Sequence, residues 1–396
     1  MLDIKFVQEN KDLIKKTLVE RGINKLDLDP LFSLDNKRKE LSIKLDFLRK
    51  KKKAMTSDIE ILATTNNKSD QGIIEKIRYL NKHIDKFEKE KTLYEQKIRE
   101  FLVNLPNIAH PSVPEGFPGE PNKLVFKSGE MPQFDFSPLT YLEIGKRLDI
   151  IDFSESLSKL DFDVIFYKGI GAGLQRGLIN FLMDLHIKRK YCEMAPPVLA
   201  DGWPILRLLQ GRVFDEDELP IVYVNYSLCF RKDWTFAQDI KNDLKRIRQF
   251  DSIECIKISN SKDSYEILED AVEEVKEKLN LLELPYEVYL FTRGNLDYIS
   301  NKAYSIKVFL PGLGTFLEIS VCSNLTDFFS KDMGICYRDR KLKTKEYAHI
   351  VHVTNLIIPR AIMSILENFQ QEDGSVLIPK VLRPYLNGLD KISVKK

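Results

Sequence analysis

The sequence predicts an α+β protein, with an antiparallel helical hairpin at the N-terminus and a larger part in which antiparallel strands are flanked by helices. Three observations support this prediction. Leucines recur every seven residues after Leu31, which is the spacing of a coiled-coil seam. Two β-type apolar runs, Ile221–Cys229 and Ile256–Ile258, flank a charged segment, as in an antiparallel hairpin with a long loop. An apolar stripe at helical spacing runs through Gly169–Lys190.

Composition sets the broad class of the protein. A chain of 396 residues can hold one large domain and a smaller element. Its net charge of +2 does not by itself indicate a nucleic-acid partner, so any basic surface must be local. The five cysteines form no CxxC pair, which favours reduced core residues over a zinc site or disulfides. No apolar run reaches membrane-spanning length, and we expect a soluble, cytoplasmic protein with no membrane partner.

Residues 1–104 are predicted to form the helical arm. After a short helical cap, the first seam is followed by a polar turn at 64–72 and by a second seam with alternating spacings of four and three residues. The first seam contains Leu31, Leu34, Leu41, Leu45, Leu48 and Met55; the second contains Ile73, Ile77, Leu80, Ile84, Phe87, Tyr94, Ile98, Phe101 and Leu105.

A basic run, Arg49, Lys50, Lys51, Lys52 and Lys53, lies near the tip of this arm. One interpretation is a solvated coiled-coil face. The other is contact with nucleic-acid phosphates, which requires positive charge on a stiff support.

Residues 105–133 are rich in proline and glycine and are predicted to be a linker, followed by a core domain at 134–396. The core is predicted to begin with a helix at Tyr141–Phe153. The helix in Gly169–Lys190 should bury one side, and His186 on it is interpreted as a packed or surface histidine. Its apolar stripe comprises Leu174, Leu178, Ile179, Leu182 and Leu185.

The hairpin places Arg231 at the end of its first strand and Phe250 at the start of its second. A guanidinium beside an aromatic ring suits a nucleotide, because the guanidinium can hold a phosphate and the ring can stack on the base. A surface hairpin with an ordinary salt bridge is the alternative.

Three motifs resemble those of bacterial seryl-tRNA synthetases, which are class II aminoacyl-tRNA synthetases. They are FR-x-D…RIRQF-x-x-IE from Phe230, LPGLGTFLEISVCSNLTDF from Leu310, and RAIMSILENFQQEDGSVLIPKVLR from Arg360. The resemblance extends from MLDIKFVQEN to LRPYL, nearly the whole chain. It implies a class II antiparallel sheet flanked by helices, a homodimer, and an arm that grips the long variable arm of tRNA(Ser).

The resemblance also implies roles for individual residues. Asp233, Phe250 and Arg360 match positions that bind ATP, Phe250 by stacking on adenine and Arg360 by holding the γ-phosphate. Glu318 matches a ligand of the ATP-bound Mg²⁺. The amino-acid pocket retains Arg231, which also contacts the α-phosphate, together with Glu254 and Thr354.

The sequence departs from the family pattern mainly where serine should bind. The register places Ala200–Gly202 where the family has its Thr-x-Glu loop, and a block of roughly thirty to forty residues is missing, about the length of several strands and turns. Val321 replaces a serine that joins the metal, and His352–Asn355 replaces an Asn-Gly-Ser-Gly turn. The bulky Trp234 and Phe236 occupy loop positions that are small in the family.

Three hypotheses are compatible with these observations. The first is a seryl-tRNA synthetase-like protein that binds tRNA but has lost serine activation, either as a homodimer or paired with an authentic synthetase. The second is an active ligase that uses ATP and Mg²⁺ on serine or on another carboxylate. The third is a structural coiled-coil protein with no RNA partner.

Overall fold

The computed structural model describes residues 1–64, 71–152, 165–198, 203–230, 249–341 and 343–394, with the backbone alone for 58–64 and 71. The chain divides into two compact units, Met1–Pro106 and Asn107–Lys396. The predicted positions Arg231, Asp233, Trp234 and Phe236 and the segment 199–202 lie outside the described residues.

The first unit is helical. Its helices are α1 (Ile4–Glu9), α2 (Lys11–Glu20), α3 (Asp29–Thr64) and α4 (Gln71–Leu102). Leu31, Leu41 and Leu45 of α3 are buried, and so are Leu80, Ile84 and Ile98 of α4. The guanidinium of Arg49 donates to the Glu88 carboxylate at 2.7 Å and helps to hold the antiparallel register. The predicted helical arm and its apolar seams are confirmed.

A buried carboxylate joins α1 to the start of the arm. Asp35 of α3 is fully buried and accepts hydrogen bonds from Gln8 at 2.9 Å and Arg38 at 2.7 Å, with the Lys39 ammonium also 2.7 Å away. Burial raises the pKa of Asp35, but the bonds from Lys39, Arg38 and Gln8 outweigh it and leave the pKa below its ordinary value.

An eight-stranded sheet forms the frame of the second unit, in the order β1-β8-β9-β10-β13-β7-β6-β4. Neighbouring strands within this sheet are antiparallel, except that β4 and β6 are parallel. Its strands are β1 (Lys123–Ser128), β4 (Cys192–Met194), β6 (Ile221–Phe230), β7 (Gln249–Ser259), β8 (Tyr286–Leu290), β9 (Lys302–Leu310), β10 (Thr315–Thr326) and β13 (His349–Ile357).

Smaller sheets and helices complete this unit. Three further sheets pair β2 (Ile151–Asp152) with β3 (Phe166–Tyr167), β5 (Val213–Asp215) and β12 (Lys345–Tyr347) with β11 (Cys336–Arg338), and β14 (Val376–Leu377) with β15 (Lys391–Ile392). The helices are α5 (Tyr141–Arg147), α6 (Ile170–Lys188), α7 (Pro204–Leu208), α8 (Ser264–Leu281), α9 (Phe328–Met333) and α10 (Ile358–Asn368), with 3₁₀ turns at Glu216–Glu218 and Lys380–Leu386.

Two parts of the second unit differ from the sequence prediction. Residues 123–128, inside the predicted linker 105–133, form the edge strand β1 and pair with β8. The helix predicted over Tyr141–Phe153 ends at Arg147, because Asp149 adopts a left-handed φ of 57° and the chain then enters β2. Helix α5 begins with a capping box in which Thr140 and Glu143 satisfy each other's backbone N–H groups.

The apolar stripe of α6 is confirmed. Leu174, Leu178 and Leu182 are fully buried in the main core, and Ile179 and Leu185 pack against it. Four of the five cysteines are buried or half-buried, whereas Cys192 is exposed, and all five are free thiols. Among the described residues, no helix has the length and apolar character needed to cross a membrane.

His186 of α6 is a packed histidine behind the sheet. It is fully buried, and the Asn355 side-chain nitrogen lies 2.6 Å from its Nε2, while the Cys255 sulfur lies 3.6 Å from the same atom. Because the Asn355 amide donates to Nε2, this nitrogen must be unprotonated. Burial, followed by the positive charges of Lys278 and Lys257, lowers the pKa of His186 to about 2.

This histidine predicts acid sensitivity. In the unfolded chain the pKa of His186 returns to its ordinary value of 6.5, so below that pH the unfolded state binds a proton that the folded state does not. The contribution of neutral His186 to the free energy of unfolding is complete above pH 6.5. It is lost as the pH falls, by about 1.4 kcal/mol per pH unit. Urea unfolding at pH 7.0, 6.0 and 5.0 should show this slope, and His186→Gln should make it shallower by that amount. Equal slopes for the two proteins would contradict the prediction.

Candidate active site

Five sheet positions, four of them polar, are aligned across neighbouring strands and share one face. Val321 of β10 pairs with Ser305 of β9 on one side and Thr354 of β13 on the other. Thr354 then pairs with Glu254 of β7, and Glu254 with Asn225 of β6. Side chains of directly paired residues lie on the same face of a sheet. The sheet therefore brings together Glu254 and Thr354, two of the residues that the resemblance assigns to the amino-acid pocket.

The Glu254 carboxylate already has partners within the chain. One oxygen accepts from the Ser252 hydroxyl at 2.6 Å. The other lies 2.6 Å from Nε2 of His352 and 3.4 Å from the Thr354 hydroxyl. The side chains of His352 and Glu254 are only 18% and 15% exposed. Both carboxylate oxygens are thus engaged in a mostly buried cluster, which we call the Glu254 cluster: Glu254, Ser252, His352 and Thr354.

Trp203 packs against this cluster. Its ring meets the His352 ring edge-on, with centroids 4.3 Å apart and planes at 77°. It also contacts Phe329 of α9, at 5.4 Å between centroids. Trp203 belongs to a second apolar cluster that includes Leu206 of α7. His352 is therefore held by the carboxylate through a hydrogen bond and by Trp203 through a ring contact.

Glu318 and Arg360 meet beside this row. The Arg360 guanidinium donates to the main-chain carbonyl of Glu318 at 2.6 Å and lies 3.9 Å from its carboxylate. The Ser305 hydroxyl donates to the other carboxylate oxygen at 2.7 Å. Two of the predicted nucleotide-binding residues are thus adjacent. Pro359, just before Arg360, lies in the first turn of α10, where a proline is tolerated because its missing N–H has no helical partner.

A Mg²⁺ ion could take an oxygen ligand from Glu318. Protein sites for Mg²⁺ typically use one or two carboxylates together with substrate phosphates. The facing Val321 offers no oxygen, and one Glu318 oxygen is already bonded to Ser305. The described residues therefore fit this ion only if ATP phosphates supply most of its ligands.

Phe250 is half-buried and packs against the main apolar core. It lies on β7 two residues before Ser252 and four before Glu254. Alternate residues of a strand share a face, so Phe250 lies on the same side of β7 as the Glu254 cluster. Its predicted partner Arg231 follows β6 directly but lies outside the described residues.

On the arm, the basic run divides into two parts. Arg49 is paired with Glu88. Lys50, Lys51 and Lys53 are exposed and Lys52 is half-buried; within the described part of the chain, these four lysines have no ion-pair partner. The positive charge of the run therefore comes mainly from the lysines.

Sequence reasoning missed two residues of this site. His352 is recognised in the sequence only as a replacement in a turn, and Trp203 is not singled out. His352 and Glu254 are 98 positions apart, and no local spacing connects them. Their pairing follows from the neighbouring positions of β13 and β7 in the sheet.

Comparison with known proteins identifies this architecture. A family model described as the tRNA synthetase class II core domain (G, H, P, S and T) matches residues 203–369, so the second unit is of the class II aminoacyl-tRNA synthetase type. A model of the seryl-tRNA synthetase N-terminal domain matches residues 1–109. The serine–tRNA ligase of Thermodesulfovibrio yellowstonii is 35% identical, and the alignment covers 99% of this chain and 100% of the relative. The chain belongs to the seryl-tRNA synthetase family.

Other relatives agree. The serine–tRNA ligase of Caldanaerobacter subterraneus subsp. tengcongensis is 36% identical over 98% of each chain. The crystal structure of seryl-tRNA synthetase from Pyrococcus horikoshii complexed with ATP is similar over the full length of both chains, with a TM-score of 0.86 and 27% identity. The cytoplasmic enzyme of Naegleria fowleri in complex with AMP shares the fold, with a TM-score of 0.81 and 22% identity over 100% of this chain and 99% of that one.

Proposed function

We propose that this protein binds tRNA through its helical arm and does not activate serine. The loss of serine activation is inferred from the Glu254 cluster, in which His352 is bonded to the Glu254 carboxylate and Trp203 packs on His352. The resemblance to the family assigns Glu254 and Thr354 to the amino-acid pocket. In this chain the same two residues bind side chains of the protein.

A serine entering this pocket would compete with the internal partners of Glu254 for its carboxylate. Its ammonium needs an acceptor, and Glu254 already bonds to Ser252 and His352 at 2.6 Å. If the ammonium displaced the His352 ring from Glu254, the Nε2 atom of His352 would lose its partner beside the apolar ring of Trp203. A buried polar group without a partner costs about 1–3 kcal/mol. The cluster therefore competes with the substrate.

The length of the chain supports the same proposal. The alignment with the Thermodesulfovibrio ligase spans 426 positions, whereas this chain has 396 residues. At least 30 positions of that alignment therefore have no counterpart here. The expected loss of a family segment before the hairpin, with Ala200–Gly202 in place of the Thr-x-Glu loop, is consistent with this difference.

An active ligase is the second candidate, and a specific observation favours it. Glu318 and Arg360, which the resemblance assigns to the nucleotide site, are adjacent, and the similar Pyrococcus enzyme was solved with ATP. In-line attack of a carboxylate on ATP depends on positioning and charge neutralisation. Arg360 and a Mg²⁺ held by Glu318 would supply the positive charge. Measuring amino-acid activation separates the two candidates.

The positive charge of the arm supports the proposal that it binds tRNA. Helices α3 and α4 carry nine and eight basic residues against six acidic residues each, a formal charge of +5, whereas the whole chain carries +2. The matched N-terminal model belongs to a family named for a tRNA-charging enzyme. We propose tRNA(Ser) with its long variable arm as the RNA, a homodimer or a heterodimer with an authentic synthetase as the assembly, and the cytoplasm as the compartment. A purely structural coiled coil is the outcome if no RNA binds.

Replacing Lys50, Lys51, Lys52 and Lys53 by glutamine should weaken binding to a tRNA(Ser) transcript at least about tenfold at low salt. Each lost phosphate contact lowers the slope of log affinity against log salt by roughly 0.7–0.9, so the slope should fall by up to about 3. Filter binding across a salt series, with and without the variable arm of the RNA, measures both effects.

The matched control has the same charge change on the second unit. It replaces four exposed lysines there by glutamine: Lys341, Lys343, Lys345 and Lys380. If this control weakens binding as much as the arm variant does, the arm is not the RNA site.

A further inference from the structure

We propose that Ile43 and Phe47 on α3 form an apolar contact for an unpaired base of the bound RNA, next to the phosphates held by Lys50 and Lys51. This rests on the proposed tRNA binding and adds to it a contact that reads unpaired RNA rather than charge. We call the four residues Ile43, Phe47, Lys50 and Lys51 the α3 outer strip.

The spacing of these residues places them on one side of α3. Positions three and four apart are neighbours on a helix surface, so Phe47 lies between Ile43 on one turn and Lys50 and Lys51 on the next. The seam toward α4 consists of the buried Leu41 and Leu45 and the half-buried Leu48. The outer strip therefore points away from α4.

Both apolar side chains are unusually exposed. Ile43 is 71% and Phe47 is 66% exposed. Among the described large hydrophobic residues, no other side chain is as exposed as Ile43. Single exposed apolar residues are ordinary, but adjacent ones on a charged helix indicate a contact surface. Nothing in the described part of the first unit covers them.

Charge determines which partner suits the strip. Lys50 and Lys51 have no ion-pair partner among the described residues, and the two arm helices together carry +5. A second copy of this arm would bring like charge against like charge. RNA offers negative phosphates and flat bases that stack on aromatic rings, and lysines beside an aromatic residue match both features.

The expected effect of the aromatic contact differs from that of the lysines. Stacking of one base is independent of salt, whereas each phosphate contact changes the salt slope. Phe47→Ala in the full-length protein should lower affinity for a tRNA(Ser) transcript about tenfold at every salt concentration and leave the slope unchanged. Its affinity for a fully paired RNA duplex should not change, because the duplex presents no unpaired base.

Three further variants sharpen the test. Ile43→Ala should give a smaller loss than Phe47→Ala. Leu93→Ala removes a 49% exposed apolar residue from α4 and should have no effect, which makes it the matched control. Phe47→Trp should retain affinity, and its added emission should be quenched when the tRNA is titrated in. Because Phe47 is mainly exposed, thermal unfolding should be unaltered in every Phe47 variant.

The outcomes separate this inference from the proposed function. Wild-type protein that binds neither RNA overturns both. Wild-type protein that binds tRNA equally well with Phe47→Ala overturns only the contact. An altered sedimentation of Phe47→Ala without a change in RNA affinity also overturns it and identifies the strip as a protein–protein surface. If Leu93→Ala lowers the affinity for tRNA as much as Phe47→Ala does, the base contact cannot be assigned to the α3 outer strip.

Discussion

Purified protein supplied with ATP, Mg²⁺, serine and labelled pyrophosphate is expected to form labelled ATP at least about 10⁴-fold more slowly than an intact seryl-tRNA synthetase. The magnitude reflects the loss of substrate positioning, which can contribute several orders of magnitude to a two-substrate reaction. The physical cause is the Glu254 cluster, whose carboxylate is bonded to Ser252 and His352 at 2.6 Å each. Adding tRNA should not restore the exchange.

The controls determine how the result is interpreted. An authentic synthetase assayed in parallel shows that the reagents are competent, and equilibrium dialysis with labelled ATP shows whether the site around Glu318 and Arg360 still holds nucleotide. Serine-dependent exchange near the rate of the authentic enzyme would contradict the loss of activation. Exchange with a different amino acid would instead establish a ligase of altered specificity.

Replacing Glu367 by glutamine should destabilise the protein by about 3 kcal/mol. Glu367 on α10 is fully buried and accepts from the backbone N–H groups of Tyr141 at 2.9 Å, Gly312 at 2.8 Å and Leu313 at 3.3 Å. Burial raises the pKa of Glu367, and the three backbone bonds oppose that rise without cancelling it. Both carboxylate oxygens of Glu367 accept hydrogen bonds. A glutamine side chain has only one oxygen, so its NH₂ group would face a backbone N–H donor on the other side.

Urea unfolding at pH 7 measures this effect. Glu367→Ala should be at least as destabilising, because it leaves three buried backbone donors without partners. Glu372→Gln, at an exposed position five residues later, should change the free energy of unfolding by less than about 0.5 kcal/mol. A comparable small change for Glu367→Gln would mean that these bonds do not hold α5 and the β9–β10 turn against α10.

Periodic features of this protein could be predicted from the sequence. The seams of α3 and α4 and the stripe of α6 are buried where the spacing of apolar residues places them, because helix geometry repeats locally. The strand β1 was missed inside a proline- and glycine-rich segment. Leu124, Val125 and Phe126 of β1 are all partly exposed at the sheet edge, so they lack the alternation of a half-buried strand.

The amino-acid sequence by itself determined the helical arm, the hairpin strands and membership of the seryl-tRNA synthetase family, because these depend on local periodicity and on motifs read in order. Only the tertiary structure showed that His352 pairs with Glu254, that Trp203 packs on His352, and that Ser305 bonds to Glu318. These contacts join elements far apart in the chain, and their geometry follows from the order and register of the strands in the sheet. Whether a retained carboxylate is open to a substrate or bonded within the protein depends on those neighbours.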